Sequence, residues 1–244
     1  MLEWTSELHG GGRARVRFSE RREGDFRGGF RGGFQGGFAG GFQGGFAGEA
    51  PQRQDNRERI AAGPWTRLRQ QHGAAVVEVE APGDGDGALA DAAVTSAAGA
   101  VLTVRVADCA PVALVAREGA VAAVHAGWRG LAAGVIEAAA AAVRRLGGED
   151  LRAYLGPCIG PECYEFAAEP LAALADRLGP AVVGRTAWGT PALDIPAAVR
   201  CALGLCGVER IVEAGQCTAC DAARWYSHRA RGDAERHVLA TWIR

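Results

Sequence analysis

The chain has 244 residues, 48% of them hydrophobic, and a formal net charge of −1. That balance excludes a general electrostatic attraction to nucleic acid or to an anionic membrane. The length suits one large α/β domain or two small ones.

All 27 positive charges are arginine. Seven cysteines is an odd number, and Met1 to Gly12 contains no apolar core of an export signal. The natural reading is a cytoplasmic protein with free thiols. The alanine-rich stretch Leu131 to Val143 is interrupted by Glu137 and is too short to span a bilayer.

In chain order, Arg13 to Ser19 alternates and predicts a strand, with Ala14, Val16 and Phe18 on one face. An x-Gly-Gly-Phe tetrapeptide then occurs five times between Arg27 and Phe46. Such glycine density has a large ordering entropy, and a period of four fits neither helix nor strand. The expectation is a low-complexity surface loop at 27–46, inserted in a single domain spanning 1–244. The rival is an RGG-like binding segment, but only two Arg-Gly-Gly units are present.

Asp55 predicts the N-cap of a short helix through Ala62. Trp65 to Arg69 and Ala75 to Glu80 predict strands on either side of Gln71-His72-Gly73. Further strands are expected at Val101–Val106, Val112–Ala116, Ala120–Val124, up to Tyr154-Leu155, and at Val208–Glu213 and His237–Trp242. Arg117-Glu118-Gly119 is a hairpin turn. Helices are expected at Leu131–Arg145, Glu169–Leu178 and Ile195–Leu205. Strands joined by tight turns cannot all be parallel, and Gly-x-Gly-x-x-Gly is missing after the first strand. The pattern is therefore a mixed sheet with outer helices and not a doubly wound fold.

The hexapeptide His125-Ala126-Gly127-Trp128-Arg129-Gly130 lies at a strand-to-helix corner, where α/β proteins often place their chemistry. Its glycines permit a tight turn, and Arg129 beside a helix start suits an anion such as phosphate. Cys109 and His125 each end an apolar run. Together with His72 they offer three zinc ligands and an open fourth position, as in a catalytic site. Taken singly, a buried cysteine is usually an inert small hydrophobe, and a histidine near apolar sequence is usually a hydrogen-bonded core residue. Cys217-x-x-Cys220 has no second C-x-x-C and reads as structural; Cys158 and Cys163 are not assigned to metal.

At these residues the chain resembles the laccase-domain family, the YfiH-like multicopper polyphenol oxidases also identified as purine nucleoside phosphorylases. The resemblance is carried by Asn56-Arg57, Gln71-His72-Gly73, Asp91 to Thr95, Ala107-Asp108-Cys109-Ala110-Pro111 and the His125 hexapeptide. It continues through Leu155 to Gly160, Cys163-Tyr164-Glu165, Cys217-Thr218 and Tyr226-Ser227-His228-Arg229. The family pattern has an Asn-Leu segment ahead of the Asn-Arg pair, and this chain lacks it.

The resemblance implies a four-layer α/β/β/α sandwich of mixed sheets. It implies a metal, zinc or alternatively copper, held by His72, Cys109 and His125. It also implies phosphorolysis of adenosine, inosine, guanosine and methylthioadenosine, with adenosine deaminase activity beside it. On this reading Cys109, His125 and Asp108 are catalytic, with Asp108 orienting a ligand histidine or carrying a proton. Arg129, Arg57 and Trp128 bind substrate and phosphate. The alternatives are a copper-dependent polyphenol oxidase, a metal-free Cys/His hydrolase with Cys109 as nucleophile, and a non-catalytic protein binding through its repeat. The expected partners are purine nucleosides and phosphate, in a monomer or homodimer.

Overall fold

The computed structural model describes residues 1–26 and 51–244, and of residues 51–54 the backbone alone. The glycine–phenylalanine repeat, expected as a surface loop, lies outside the described residues.

In chain order, β1 (Leu2–Glu7) and β2 (Arg13–Phe18) precede α1 (Pro51–Ile60) and β3 (Trp65–Arg67). Next come β4 (Val76–Glu78), β5 (Ala92–Thr95), β6 (Val101–Val106), β7 (Ala110–Ala116) and β8 (Ala120–Ala126). Then follow α2 (Trp128–Ala133), α3 (Val135–Arg145), β9 (Leu151–Leu155) and α4 (Ala168–Leu178). The chain ends with β10 (Val183–Arg185), β11 (Pro191–Leu193), α5 (Ile195–Leu205), β12 (Arg210–Glu213), α6 (His228–Arg231) and β13 (His237–Ile243).

Two mixed sheets form the centre. One runs β1-β2-β13-β6-β3 and the other β12-β9-β7-β8-β5-β4. The period-two alternation of the strands sorts their side chains between layers. Leu239 and Ile243 of β13 pack between the sheets with Leu102, Val104, Val115, Val121 and Ala123. Val238, Ala240 and Trp242 point the other way, onto Ile60, Ala61 and Trp65. The outer face of the second sheet buries Val112, Leu114, Ala122 and Val124 against α3 and α5. The order is helix, sheet, sheet, helix, which is the four-layer α/β/β/α sandwich. Among the described residues, no helix is long and apolar enough to cross a membrane.

Local differences from the sequence reading have physical causes. The helix expected over Leu131–Arg145 is two helices: α2 starts at Trp128, and Gly134 breaks the run with φ of 85°. A left-handed residue costs glycine little and ends a helix. Asp55 does not cap α1, which already begins at Pro51. Asp194 does cap α5 by accepting from the amide of Ala197 at 2.8 Å, so the expected start at Ile195 is met. β5 is Ala-Ala-Val-Thr, four residues long, fully buried and half alanine, so no polar–apolar alternation announces it.

Candidate metal centre and active site

β7 and β8 form an antiparallel pair in which Pro111 lies opposite His125 and Ala110 opposite Ala126. Cys109 immediately precedes β7, so it stands at the same sheet end as His125. The loop from β3 to β4 brings His72 to that end. One donor atom from each of His72, Cys109 and His125 lies within 4.8 Å of the others. The two imidazole rings meet edge-on, with centroids 4.8 Å apart.

The backbone is bent to achieve this. His72 and Asp108 are the only non-glycine residues with positive φ among those described, at 59° and 97°. Such conformations are costly for L-residues and cluster at functional sites. The glycines of the hexapeptide have a defined task. A Cβ on Gly127 would stand 2.9 Å from His72 Cδ2 and 3.0 Å from Cys109 Sγ, and one on Gly130 would stand 3.0 Å from the carbonyl oxygen of Gly73. Larger residues there would push the ligands apart.

Asp91 organises the site from behind. The Nδ1 of His125 lies 2.8 Å from Asp91 Oδ1. The backbone amides of Gln71, His72 and Gly73 donate to the same carboxylate at 3.1, 2.9 and 2.8 Å. Burial alone would raise the Asp91 pKa, but the His125 hydrogen bond and these amides hold it below the usual carboxylate range. An ionised Asp91 keeps the proton on His125 Nδ1 and leaves Nε2 for a metal, the usual support of a ligand histidine.

Gln70 fixes the same loop from the other side. It donates to the carbonyl oxygen of Arg105 at 2.8 Å and accepts from the Arg105 amide at 2.9 Å.

The donors suit a cation. Burial would push the Cys109 thiol up, but the facing His125 and His72 bring it down to about 6. Burial would push His125 down, but Cys109 and Asp91 carry it up to about 9. A thiolate and two imidazoles form a donor set that fits zinc or copper.

In front of the cluster lies a cavity of about 340 Å³, lined by Gln70, His72, Arg105, Val106, Ala107, Cys109, His125, Ala234 and Arg236. Its arginines are Arg105 and Arg236, not the expected Arg57 and Arg129. Arg57 lies on α1 with its guanidinium over Trp65, 5.8 Å from the ring centroid.

Arg129 is exposed and stacks over Trp128 at 4.4 Å, on a different flank. Trp128 packs edge-on against Phe166, with centroids 5.4 Å apart. Tyr164 belongs to this flank. Burial pushes its hydroxyl up to about 12, and it feels the charges of Cys109, Arg229 and Arg129.

Asp108 differs from expectation. Thr218 Oγ1 donates to one carboxylate oxygen and the Arg229 amide to the other, both at 2.7 Å. It ties two distant loops to the Cys109 corner, and the orientation of His125 falls to Asp91 instead. Sequence reading placed Asp91 in a matching segment without giving it a role. It missed Gln70, Arg105 and Arg236, since nothing in their local sequence distinguishes them from surface residues.

Comparisons with known proteins place the chain in a family. Residues 41–244 match the family model described as multi-copper polyphenol oxidoreductase laccase. A Xylella fastidiosa protein named purine nucleoside phosphorylase is 40% identical over 185 residues, covering 72% of this chain and 71% of the relative. A Pseudomonas aeruginosa protein of the same designation is 40% identical over 195 residues, covering 76% of each. Among solved structures, the Neisseria meningitidis protein NMB0706 superposes with a TM-score of 0.74 at 25% identity, covering 99% of this chain and 98% of that one. YlmD of Geobacillus stearothermophilus gives 0.73 at 28%, covering 96% and 93%. A match over residues 41–244, most of the chain, means that the chain belongs to the multi-copper polyphenol oxidoreductase laccase family.

Proposed function

We propose that this protein is a metal-dependent purine nucleoside phosphorylase, with zinc held by His72, Cys109 and His125. The observation that carries the reading is the meeting of three ligand residues at a cationic cavity, in a chain whose relatives are named purine nucleoside phosphorylases. The designation of those relatives supports purine nucleosides as the substrate class, of which adenosine, inosine, guanosine and methylthioadenosine are the members the family resemblance implies.

When bound, the metal supplies Lewis-acid polarisation of an oxygen in the cavity. The chain's own residues do the rest. Asp91 holds the Nδ1 proton of His125 and fixes the ring. Gln70 locks the His72 loop to the strand that leads to Cys109. Arg105 and Arg236 give the cavity the positive potential that an incoming phosphate requires. In phosphorolysis a phosphate oxygen forms a bond to the ribose anomeric carbon, the carbon–nitrogen bond to the purine breaks, and the purine takes up a proton. Arg129 and Trp128 serve from the second flank, where a planar guanidinium and an indole suit substrate binding.

The copper-oxidase alternative needs a histidine-rich cluster. Here His9 and His228 are exposed, and His237 is buried beside Trp225 and Tyr226. That leaves two histidines at the site, which favours nucleoside chemistry.

Incubating the metal-loaded protein with inosine tests the proposal. Hypoxanthine and ribose 1-phosphate must form in phosphate buffer. Free ribose formed at the same rate without phosphate identifies a hydrolase and overturns it. Ammonia release from adenosine scores deamination in the same assay.

A further inference from the structure

We propose that Glu162, Cys163, Cys217 and Cys220 form a second metal site, a structural zinc clip between the turn after β9 and the loop before α6. Four donor atoms, one from each residue, lie within 4.8 Å of one another. Cys163 Sγ and Cys220 Sγ are 3.5 Å apart, as are Cys220 Sγ and Glu162 Oε1. A tetrahedral zinc with Zn–S near 2.3 Å and Zn–O near 2.1 Å places its ligand atoms about 3.5–3.8 Å from each other. These two spacings match edges of such a tetrahedron, and the remaining donors lie within 4.8 Å.

Backbone amides converge on one of the sulfurs. Cys217 Sγ accepts from the amides of Gly160, Ala219 and Cys220, with the Gly160 nitrogen at 3.2 Å. Amide donors of this kind stabilise a negatively charged sulfur. The Glu162 carboxylate is met by thiols of Cys217 and Cys220. Three thiols and a carboxyl group packed together call for a cation, and all four positions of the tetrahedron come from protein. That closed set is the mark of a structural centre, whereas three ligands leave room for chemistry.

The Cys217-x-x-Cys220 pair reads as structural in sequence because no second C-x-x-C accompanies it. The fold supplies the other half from a distant turn, with Cys163 and Cys220 separated by 57 positions. The clip also has a consequence for the first site. Thr218, between the two loop cysteines, donates to Asp108 at 2.7 Å, and Asp108 is the neighbour of Cys109. Arg231 holds the same loop through the carbonyl oxygens of Thr218 and Ala219. Zinc here would steady Asp108, the residue next to Cys109, from outside the cavity.

Elemental analysis of the full chain, purified under reducing, anaerobic conditions with zinc supplied, tests the proposal. About two zinc ions per chain are expected, falling by about one in the Cys163→Ser/Cys220→Ser protein and separately by about one in Cys109→Ala. Unchanged zinc in Cys163→Ser/Cys220→Ser overturns it. A cobalt titration of the Cys109→Ala protein keeps the test sharp if the double variant does not fold. A saturable, intense thiolate-to-cobalt charge-transfer band supports the clip, and its absence at stoichiometric cobalt overturns it. A Cys163–Cys220 disulfide in the anaerobic preparation also overturns it.

Discussion

The two cysteine-containing clusters are built by opposite means. At His72, Cys109 and His125 the donors sit at the ends of strands and on a strained turn. A buried carboxylate holds one histidine from behind, and a cationic cavity opens in front. At Glu162, Cys163, Cys217 and Cys220 the donors come from two short turns, steadied by backbone amides, with a fourth protein ligand where the first cluster has space. On the two proposed assignments, ligand count and support, more than ligand type, are what separate a centre that can act on a substrate from one that can only hold the chain.

The largest expected effect breaks the comparison at its root. Cys109→Ala or His125→Ala removes one of three ligands, and phosphate-dependent inosine cleavage is expected to fall to background while zinc at the four-residue cluster stays. Retention of the full metal complement in Cys109→Ala, measured by elemental analysis, would contradict the assigned ligand set.

Next is the support. Asp91→Asn removes the negative charge that fixes the His125 tautomer, and metal affinity or activity should drop about 10- to 100-fold. The matching acid dependence has a definite sign. Because the Asp91 pKa is depressed in the fold, its stabilisation is complete above the ordinary aspartate range and is lost as pH falls through the depressed value. Thermal melts of wild type and Asp91→Asn should therefore converge on acidification. Melting curves that diverge as pH falls would mean that the carboxylate has another role.

A smaller effect is expected at Gly127, where a methyl group would collide with His72 and Cys109. Gly127→Ala should weaken metal binding and cost about 1–3 kcal/mol as the ligands shift. Gly189→Ala is the contrasting control: unlike Gly127, whose φ is −79°, Gly189 has a positive φ of 90° and no neighbour within 4 Å, so its cost is backbone strain alone and metal affinity should not move. Equal metal affinity in the two variants would remove the argument for close approach.

The smallest effect separates the two arginine flanks. Arg129→Lys keeps the charge but loses the planar fork, on an exposed residue, and should raise the KM for phosphate by only a few-fold, about 1 kcal/mol or less. A loss of activity as deep as that of Cys109→Ala would place phosphate on the Arg129 flank and not in the Arg105–Arg236 cavity.

Much of this was legible in the sequence, and the reasons are local. The regular alternation of Arg13 to Phe18 and the Asp194 start of α5 are signals carried by adjacent residues. The meeting of Cys109 and His125 was legible because each borders an apolar run whose end an antiparallel pairing brings together, while the reading of these residues with His72 as a ligand set came from the family resemblance. Asp91 and Arg236 were not given roles, since their positions depend on contacts across the fold. The four-residue cluster was half visible as Cys217-x-x-Cys220, but Glu162 and Cys163 join it through contacts across the fold, among them the parallel bridge between Cys158 and Cys217. Strand β5 shows the opposite failure, where a short, fully buried run has no polar–apolar alternation to read.

The central claim is that metal at the three-ligand cluster is required for phosphorolysis. The direct measurement is phosphate-dependent hypoxanthine release from inosine by wild-type protein as purified, after exhaustive chelation, and after zinc is returned, with Cys109→Ala carried through the same steps. The account predicts activity that disappears with chelation, returns with zinc in the wild type, and never returns in Cys109→Ala. Undiminished release by metal-free wild-type protein would contradict it and would move the chemistry to Cys109 and His125 without a metal.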